Sequence, residues 1–260
     1  MGDAIRTHRD DGVLEVVLDR PKANAIDLAT SRAMGEVFAA FRDDDTVRVA
    51  VLRAAGSKFF CAGWDLKAAA DGDAVDGDYG VGGFGGLQEL RGLNKPVIVA
   101  VNGICCGGGL ELALSGDIIL AADTATFALP EIRSGTVADA ASIKLPKRIP
   151  YHVAMEMLLS GRWLDAAEAH RWGFVNRVLP GEELAEAART LARELAAGPP
   201  LVQAAIKEIV RDAEGARFQD TMNRVTRRQL GTVDRLYGSE DNLEGARAFA
   251  EKRDPVWKGR

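Results

Sequence analysis

Residues 96–117 read PVIVAVNGICCGGGLELALSGD, and the order of residue types within them decides the fold. Pro96 to Val101 is an uncharged run of Val, Ile and Ala, the pattern of a strand buried on both faces. Asn102-Gly103 ends it, and three glycines at 107, 108 and 109 lead into a helical run. Glycines at a strand-to-helix turn free the backbone for positive φ, so main-chain amides can face a cavity at a helix N-terminus, where the dipole favours negative charge. Glu111 falls in the first turn of that helix. Taken alone, the segment is also compatible with a tight turn in which Glu111 only complements the dipole.

On either side the same alternation continues. GVLEVVLD (12–19) and VRVAVLR (47–53) are short β-branched runs bounded by Gly or charge and read as strands. Leu28 to Phe41 sets Met34, Val37, Phe38 and Phe41 on one helical stripe, and Leu87 to Leu93 suggests a further turn or two of helix. From Ile118 the pattern recurs in shorter form as IILAAD, then TFAL, then a helix-rich stretch. Alternating strands and helices make the chain α/β. After Leu179 it turns helical, with amphipathic runs at 181–197 and 201–212 parted by Gly198-Pro199-Pro200. The expected organisation is a core over 1–197 and a helical region over 198–260. DGDAVDGDYGVGGFGG (71–86) is too rich in Gly and Asp for an element and reads as a mobile loop.

The 260 residues carry 33 Lys+Arg against 38 Asp+Glu, a net charge of −5, and are 47% hydrophobic, which excludes general disorder and argues against broad attraction to nucleic acid. No apolar run approaches the roughly 18 residues of a membrane span. The opening MGDAIRTHRDDG lacks the apolar core of a secretion signal and the three cysteines cannot pair off evenly, so a cytoplasmic protein is expected. There is no C-x-x-C, H-E-x-x-H, G-x-S-x-G or P-loop pattern, and three scattered histidines (His8, His152, His170) offer no metal site. Gly80-x-Gly82-x-x-Gly85 matches a dinucleotide fingerprint but follows an acidic loop, not the strand that motif requires. No permanently bound cofactor is expected.

Two further turns add to the first. Lys58 to Leu66 (KFFCAGWDL) is a second glycine-marked strand end able to present an amide, and two such turns permit a pair converging on one oxygen. Phe127-Ala128-Leu129-Pro130-Glu131 places a carboxylate just past a short apolar strand, because Pro130 forces Leu129 to be extended.

Together these segments resemble the crotonase (enoyl-CoA hydratase/isomerase) superfamily. The resemblance spans nearly the whole chain: RPKANAID (20–27), FFCAGWDL (59–66), VNGICCGGGLELAL (101–114), FALPEI (127–132) and SGRWLDAAEAHRWGFVNRV (160–178). RPKANAID, FFCAGWDLKAAA and the terminal FAEKRDPVWKGR are most similar to its carnitinyl-CoA dehydratase (crotonobetainyl-CoA hydratase) branch. The resemblance implies a crotonase-type spiral of ββα units with a C-terminal helical trimerisation region, assembled as a homotrimer or a hexamer of two trimers. It implies an acyl-CoA lyase that hydrates a 2-enoyl-CoA of crotonobetainyl or crotonyl type to the 3-hydroxyacyl-CoA, with coenzyme A entering only as part of the substrate.

By position, the family's oxyanion-hole amides map to Trp64 and Gly108 and its two acid–base carboxylates to Glu111 and Glu131. Its coenzyme A contacts map to Lys22, Ala23 and Ala25, to Ala62, Asp65 and Leu66, and, from a neighbouring subunit, to Phe249 and Lys252. Glu111 is expected to stay ionised at its helix N-terminus and act as the base, and Glu131 to donate a proton, which requires a raised pKa.

The chain departs from the usual hydratase pattern after PEI, where Ala138 replaces a Pro and Ala141-Ser142 a Gly-Gly pair. Asp139 is either the N-cap of a following helix or a third carboxylate facing a polar or cationic acyl group, and Trp64 is either an aromatic face for that group or packing. Two alternatives follow: a double-bond isomerase using Glu131 and Asp139, and an RNA-binding relative using Arg217, Arg224, Arg227 and Arg228, whose plainer reading is a solvated or subunit surface.

Overall fold

A computed structural model describes residues 4–70, 72, 74 and 77–260. β1 (Ile5–Asp10) and β2 (Val13–Leu18) form an antiparallel hairpin, followed by α1 (Leu28–Asp43). The chain then repeats a unit of two strands and a helix. The first is β3 (Val49–Ala54), β4 (Phe59–Cys61) and α2 (Leu66–Ala70). The second is β5 (Val97–Val101), β6 (Ile104–Cys106) and α3 (Gly108–Ala113). The third is β7 (Ile118–Ala122), β8 (Thr126–Ala128) and α4 (Glu131–Ser134). There follow α5 (Asp139–Lys144), α6 (Tyr151–Ser160), β9 (Leu164–Asp165), α7 (Ala166–Trp172), β10 (Arg177–Leu179) and α8 (Leu184–Ala197). The chain ends in α9 (Pro200–Ala213), α10 (Phe218–Thr226), α11 (Gly231–Tyr237) and α12 (Asp241–Glu251).

The first strand of each unit joins a six-stranded sheet of order β1-β2-β3-β5-β7-β10, and the second joins a four-stranded sheet of order β4-β6-β8-β9. All pairs are parallel except β1 with β2 and β8 with β9. Alternation between two sheets winds the chain into the expected spiral of ββα units. Every residue of β2 and β5 is buried; β5 is uninterrupted apolar, and the one charge in β2, Glu15, is paired with Arg53 (2.6 Å) and Arg189 (2.7 Å). On α1, Met34, Phe38 and Phe41 are fully buried and Asp27 caps the helix by accepting from the Thr30 NH.

Three local features differ from expectation. β1 (IRTHRD) carries polar, mostly exposed side chains, so only its pairing with β2 reveals it as an edge strand. Leu87 to Leu93 is a series of turns, because Gly86 and Gly92 take φ of 74° and 75°, yet Leu87, Leu90 and Leu93 are buried. Within the 71–86 loop, Asp71, Asp73, Val75 and Asp76 lie outside the described residues. Its later half is a packed 3₁₀ turn at Phe84–Gly86, seated so tightly on α1 that a side chain on Gly86 would collide with the Gly35 backbone.

α8 packs on the large sheet and ends at Ala197, whereas Ala205, Leu230 and Val233 form a separate small core among the following helices. Among the described residues no helix is long and apolar enough to cross a membrane.

Candidate active site

β4 and β6 are parallel neighbours, with Phe59 opposite Ile104 and Cys61 opposite Cys105, so the turns that follow them lie side by side. Gly63 (φ 89°) and Gly107 (φ 58°) make those turns in the left-handed region that favours glycine. The turns are in contact: a Cβ on Gly63 would stand 2.9 Å from the Gly108 nitrogen and 3.0 Å from the Cys106 carbonyl. The neighbouring amides are occupied, since Gly63 NH donates to Cys61 Sγ (3.3 Å), Asp65 NH to Ile26 O (2.9 Å) and Gly107 NH to Ala128 O (3.0 Å). The Trp64 and Gly108 NH groups have no hydrogen-bond partner among the described residues.

Glu111 and Glu131 meet around the same turn. Glu111, on α3, is 6% exposed, and its Oε1 accepts the Ala141 NH at 2.9 Å. Burial, then the charges of Asp139 and Glu131, push its pKa up to about 7, although the Ala141 NH and the nearby Gln88 amide pull it back. The helix N-terminus was expected to help Glu111 stay ionised; loss of water works against it and outweighs what a six-residue helix supplies. Glu131 opens α4, with Oε1 so near Gly107 that a Cβ there would come within 2.8 Å of it. Its Oε2 is buried without a partner, and burial, then the Asp139 charge, raise its pKa.

Asp139 is exposed and is the first residue of α5; the cap position is Ala138, so the N-cap reading does not hold. Its Oδ1 accepts the adjacent Ala140 NH at 2.7 Å, and its charge reaches both glutamates. Ala141, one of the two residues that replace the usual Gly-Gly pair, delivers its NH to Glu111.

The stability consequence of the raised Glu111 pKa has a definite sign. A carboxyl whose folded-state pKa lies above its unfolded value favours the native state below about 4.5, and that contribution is lost as pH rises through about 7. Glu111→Gln, which carries no charge, is therefore expected to gain roughly 2–3 kcal/mol relative to the parent between pH 5 and pH 8.5. Denaturant unfolding of both proteins at the two pH values checks this; a gap that stays constant would show that ionising Glu111 costs nothing.

An aromatic roof, absent from the sequence reading, covers the turn. A Cβ on Gly108 would stand 2.5 Å from the Phe84 ring, and Tyr79 packs edge-on to Phe84 at 5.6 Å. The glycine density of GVGGFGG was the available signal, since it marks backbone that must approach something closely. The Trp64 indole Nε1 is also buried without a partner. Burial pushes the Cys61 thiol up to about 12 and the Cys106 thiol up to about 11, so neither is a thiolate near neutrality.

Arg20, which sequence reasoning did not single out, frames this site. Its guanidinium donates to Asp65 (2.5 Å), Asp27 (2.8 Å) and the Ala25 carbonyl (2.8 Å). Ala62 NH donates to Ala23 O (3.1 Å) and Ile26 NH to Gly63 O (2.8 Å), stitching residues 20–27 to the Trp64 turn. The Asp65 side chain is thus engaged in the frame, with Oδ1 also accepting the Lys67 NH at 3.0 Å. Beside this frame Lys22, Asn24, Ser57, Lys58 and Phe59 line an open cavity of about 250 Å³. Leu66 is exposed nearby in sequence, on α2. Phe249, 85% exposed on α12, and Lys252 do not line that cavity. Of the arginine cluster, Arg224 pairs with Asp212 at 2.7 Å and Arg228 lies 5.3 Å from the centre of the Tyr237 ring.

The enoyl-CoA hydratase/isomerase family matches the chain over residues 8–260. A carnitinyl-CoA dehydratase of Proteus mirabilis is 52% identical to it over 261 positions, covering 100% of both chains, and one of Escherichia coli O157:H7 is 51% identical with the same coverage. Among solved structures, an enoyl-CoA hydratase from Mycobacterium marinum aligns with a TM-score of 0.89 at 37% identity over 99% of each chain. A carnitinyl-CoA hydratase from Mycobacterium avium aligns with a TM-score of 0.77, also at 37% identity, over 100% of each chain.

Proposed function

The chain belongs to the enoyl-CoA hydratase/isomerase family, and from that premise we propose that it adds and removes water across the 2,3-bond of an enoyl-CoA, with an acyl group of crotonobetainyl or crotonyl type. The observation that carries this reading is the convergence on one turn of two unpartnered amides, Trp64 and Gly108, and two carboxyls, the buried Glu111 and the half-buried Glu131 with its enclosed Oε2.

Hydration pushes electrons from the double bond onto the thioester oxygen. The two amides receive that charge, and each fixed donor of this kind is worth roughly 10²–10³ in rate. Water attacks Cβ while Glu111 takes its proton, and Glu131 delivers a proton to Cα; dehydration runs the same transfers backwards. The environments support this division. Each carboxyl is eased by one main-chain NH, Ala141 for Glu111 and its own for Glu131, but Glu131 keeps an Oε2 without a partner, which favours the protonated acid. Burial raises the pKa of both carboxyls, which favours keeping a proton within the pair, as an acid and a base working together require.

The cavity at Lys22 and Lys58 receives the phosphates of coenzyme A, and Phe249 and Lys252 complete the site from a neighbouring subunit of a trimer or a pair of trimers. The helices after Ala197 provide that assembly surface. Replacing both Lys22 and Lys58 by Ala should raise KM about tenfold, more at low ionic strength, with kcat unchanged, because solvent-exposed charge pairs bind ground and transition states alike. Steady-state kinetics at two salt concentrations tests this, and a fall in kcat would contradict it.

Asp139 and the Phe84, Tyr79 and Trp64 faces suit a cationic acyl group. Turnover of crotonyl-CoA, crotonobetainyl-CoA and a 3-enoyl-CoA in deuterated water, with product identification, tests the whole reading. A 3-hydroxy product supports hydration. Migration of the double bond with deuterium at Cα and no 3-hydroxy product would replace it with the isomerase reading, which the charge of Asp139 beside Glu131 favours.

A further inference from the structure

α3 is only six residues long, and its last turn leaves the Glu111 carbonyl without the usual main-chain donor, because the Ser115 NH turns to Leu112 O (3.0 Å). The Ser115 hydroxyl takes that place, donating to Glu111 O at 2.8 Å. The hydroxyl in turn accepts from Lys144 Nζ at 2.7 Å. Lys144 is the last residue of α5, the helix whose Ala141 NH holds the Glu111 carboxyl. One short helix thus grips Glu111 at both ends, by its side chain through Ala141 and by its main chain through Ser115 and Lys144.

The geometry points to Lys144 as a positioning residue for Glu111, holding the base in place through Ser115 and biasing it toward the carboxylate. This rests on Glu111 being the base toward water, as proposed above. Lys144 is half-buried, and a lysine drawn that far from water is costly unless its ammonium is well used. Burial lowers the Lys144 pKa to about 8, so the group is still mostly charged at neutral pH. The charged groups facing it are Arg148, just beyond α5, which opposes its charge, and Glu111 on α3, Glu214 after α9 and Asp139 on its own helix, which favour it. Arg148 is itself 3.7 Å from Glu214. Around Glu111, Asp139 and Glu131 repel the carboxylate that Lys144 attracts. Without that cation, the base would hold its proton to higher pH.

The test is the pH profile of kcat/KM for enoyl-CoA hydration in Lys144→Gln and Lys144→Arg, with Ser115→Ala alongside. Lys144→Gln keeps a donor for Ser115 and removes the charge, so its acid-side limb should move up by roughly half a pH unit or more. Lys144→Arg should leave the limb where it is. Ser115→Ala breaks the main-chain grip and should lower kcat about tenfold with KM unchanged. If Lys144→Gln fails to fold, the Ser115→Ala result alone decides. An unmoved limb in folded Lys144→Gln, or parental kcat in Ser115→Ala, overturns the inference. Glu111→Gln in the same assay separates the two levels: retained hydration there refutes the base assignment itself, whereas its loss with parental behaviour of the Lys144 and Ser115 variants refutes only the positioning role.

Discussion

Glu131→Gln is expected to lose hydration by about 10³-fold or more in kcat while its thioester affinity and folded stability stay near those of the parent, because removing one general acid or base typically costs 10²–10⁴. The amide is nearly isosteric with the acid, so the α4 start and the contact with Gly107 persist. It cannot release a proton to Cα. Since the buried Oε2 of Glu131 has no partner to lose, the substitution breaks no hydrogen bond at that atom. Substrate binding measured by displacement, together with kcat, separates a transition-state loss from a binding loss. Retained hydration, or lost affinity at unchanged kcat, would remove Glu131 from the proton-transfer role.

Gly109→Ala is expected to cost a further 10²–10³ in kcat through a different route, the loss of one oriented oxyanion donor. The site of Gly109 looks like ordinary helix, where Ala is normally the better residue. Here an added Cβ would collide with the Cys61 carbonyl oxygen, a main-chain atom that can yield only by moving the end of β4. That strand end carries the Trp64 turn, so the two amides would separate. Hydration kinetics and thermal unfolding should therefore report a catalytic loss out of proportion to the destabilisation. Parental kcat in the folded variant would show that the amide pair does not depend on this contact.

The turns of the candidate site were legible in sequence because each is marked by a residue type with few other uses at its position. Gly63 and Gly107 announce backbone in the left-handed region, and Pro130 fixes where Glu131 emerges. What was not legible depends on contacts between distant segments. The Gly-rich run before Leu87 has no periodicity of its own, and only its seating on α1 turns Phe84 into a roof over Gly108. Arg20 looks like any surface arginine until Asp27 and Asp65 are brought to it. The raised pKa of Glu111 was hidden for a related reason: helix position can be read locally, but burial is set in part by the α5 segment that closes over it.

The two amides are carried by turns two and three residues beyond paired strands of one parallel ladder. Adjacent strands lie about 4.8 Å apart whatever their side chains, so main-chain pairing acts as a ruler that sets the span of the donor pair. A measuring device made of backbone has few side chains to wear out. Its tolerance is fixed by the glycines that let the two turns touch, Gly63 and Gly109, where a Cβ would strike the neighbouring backbone.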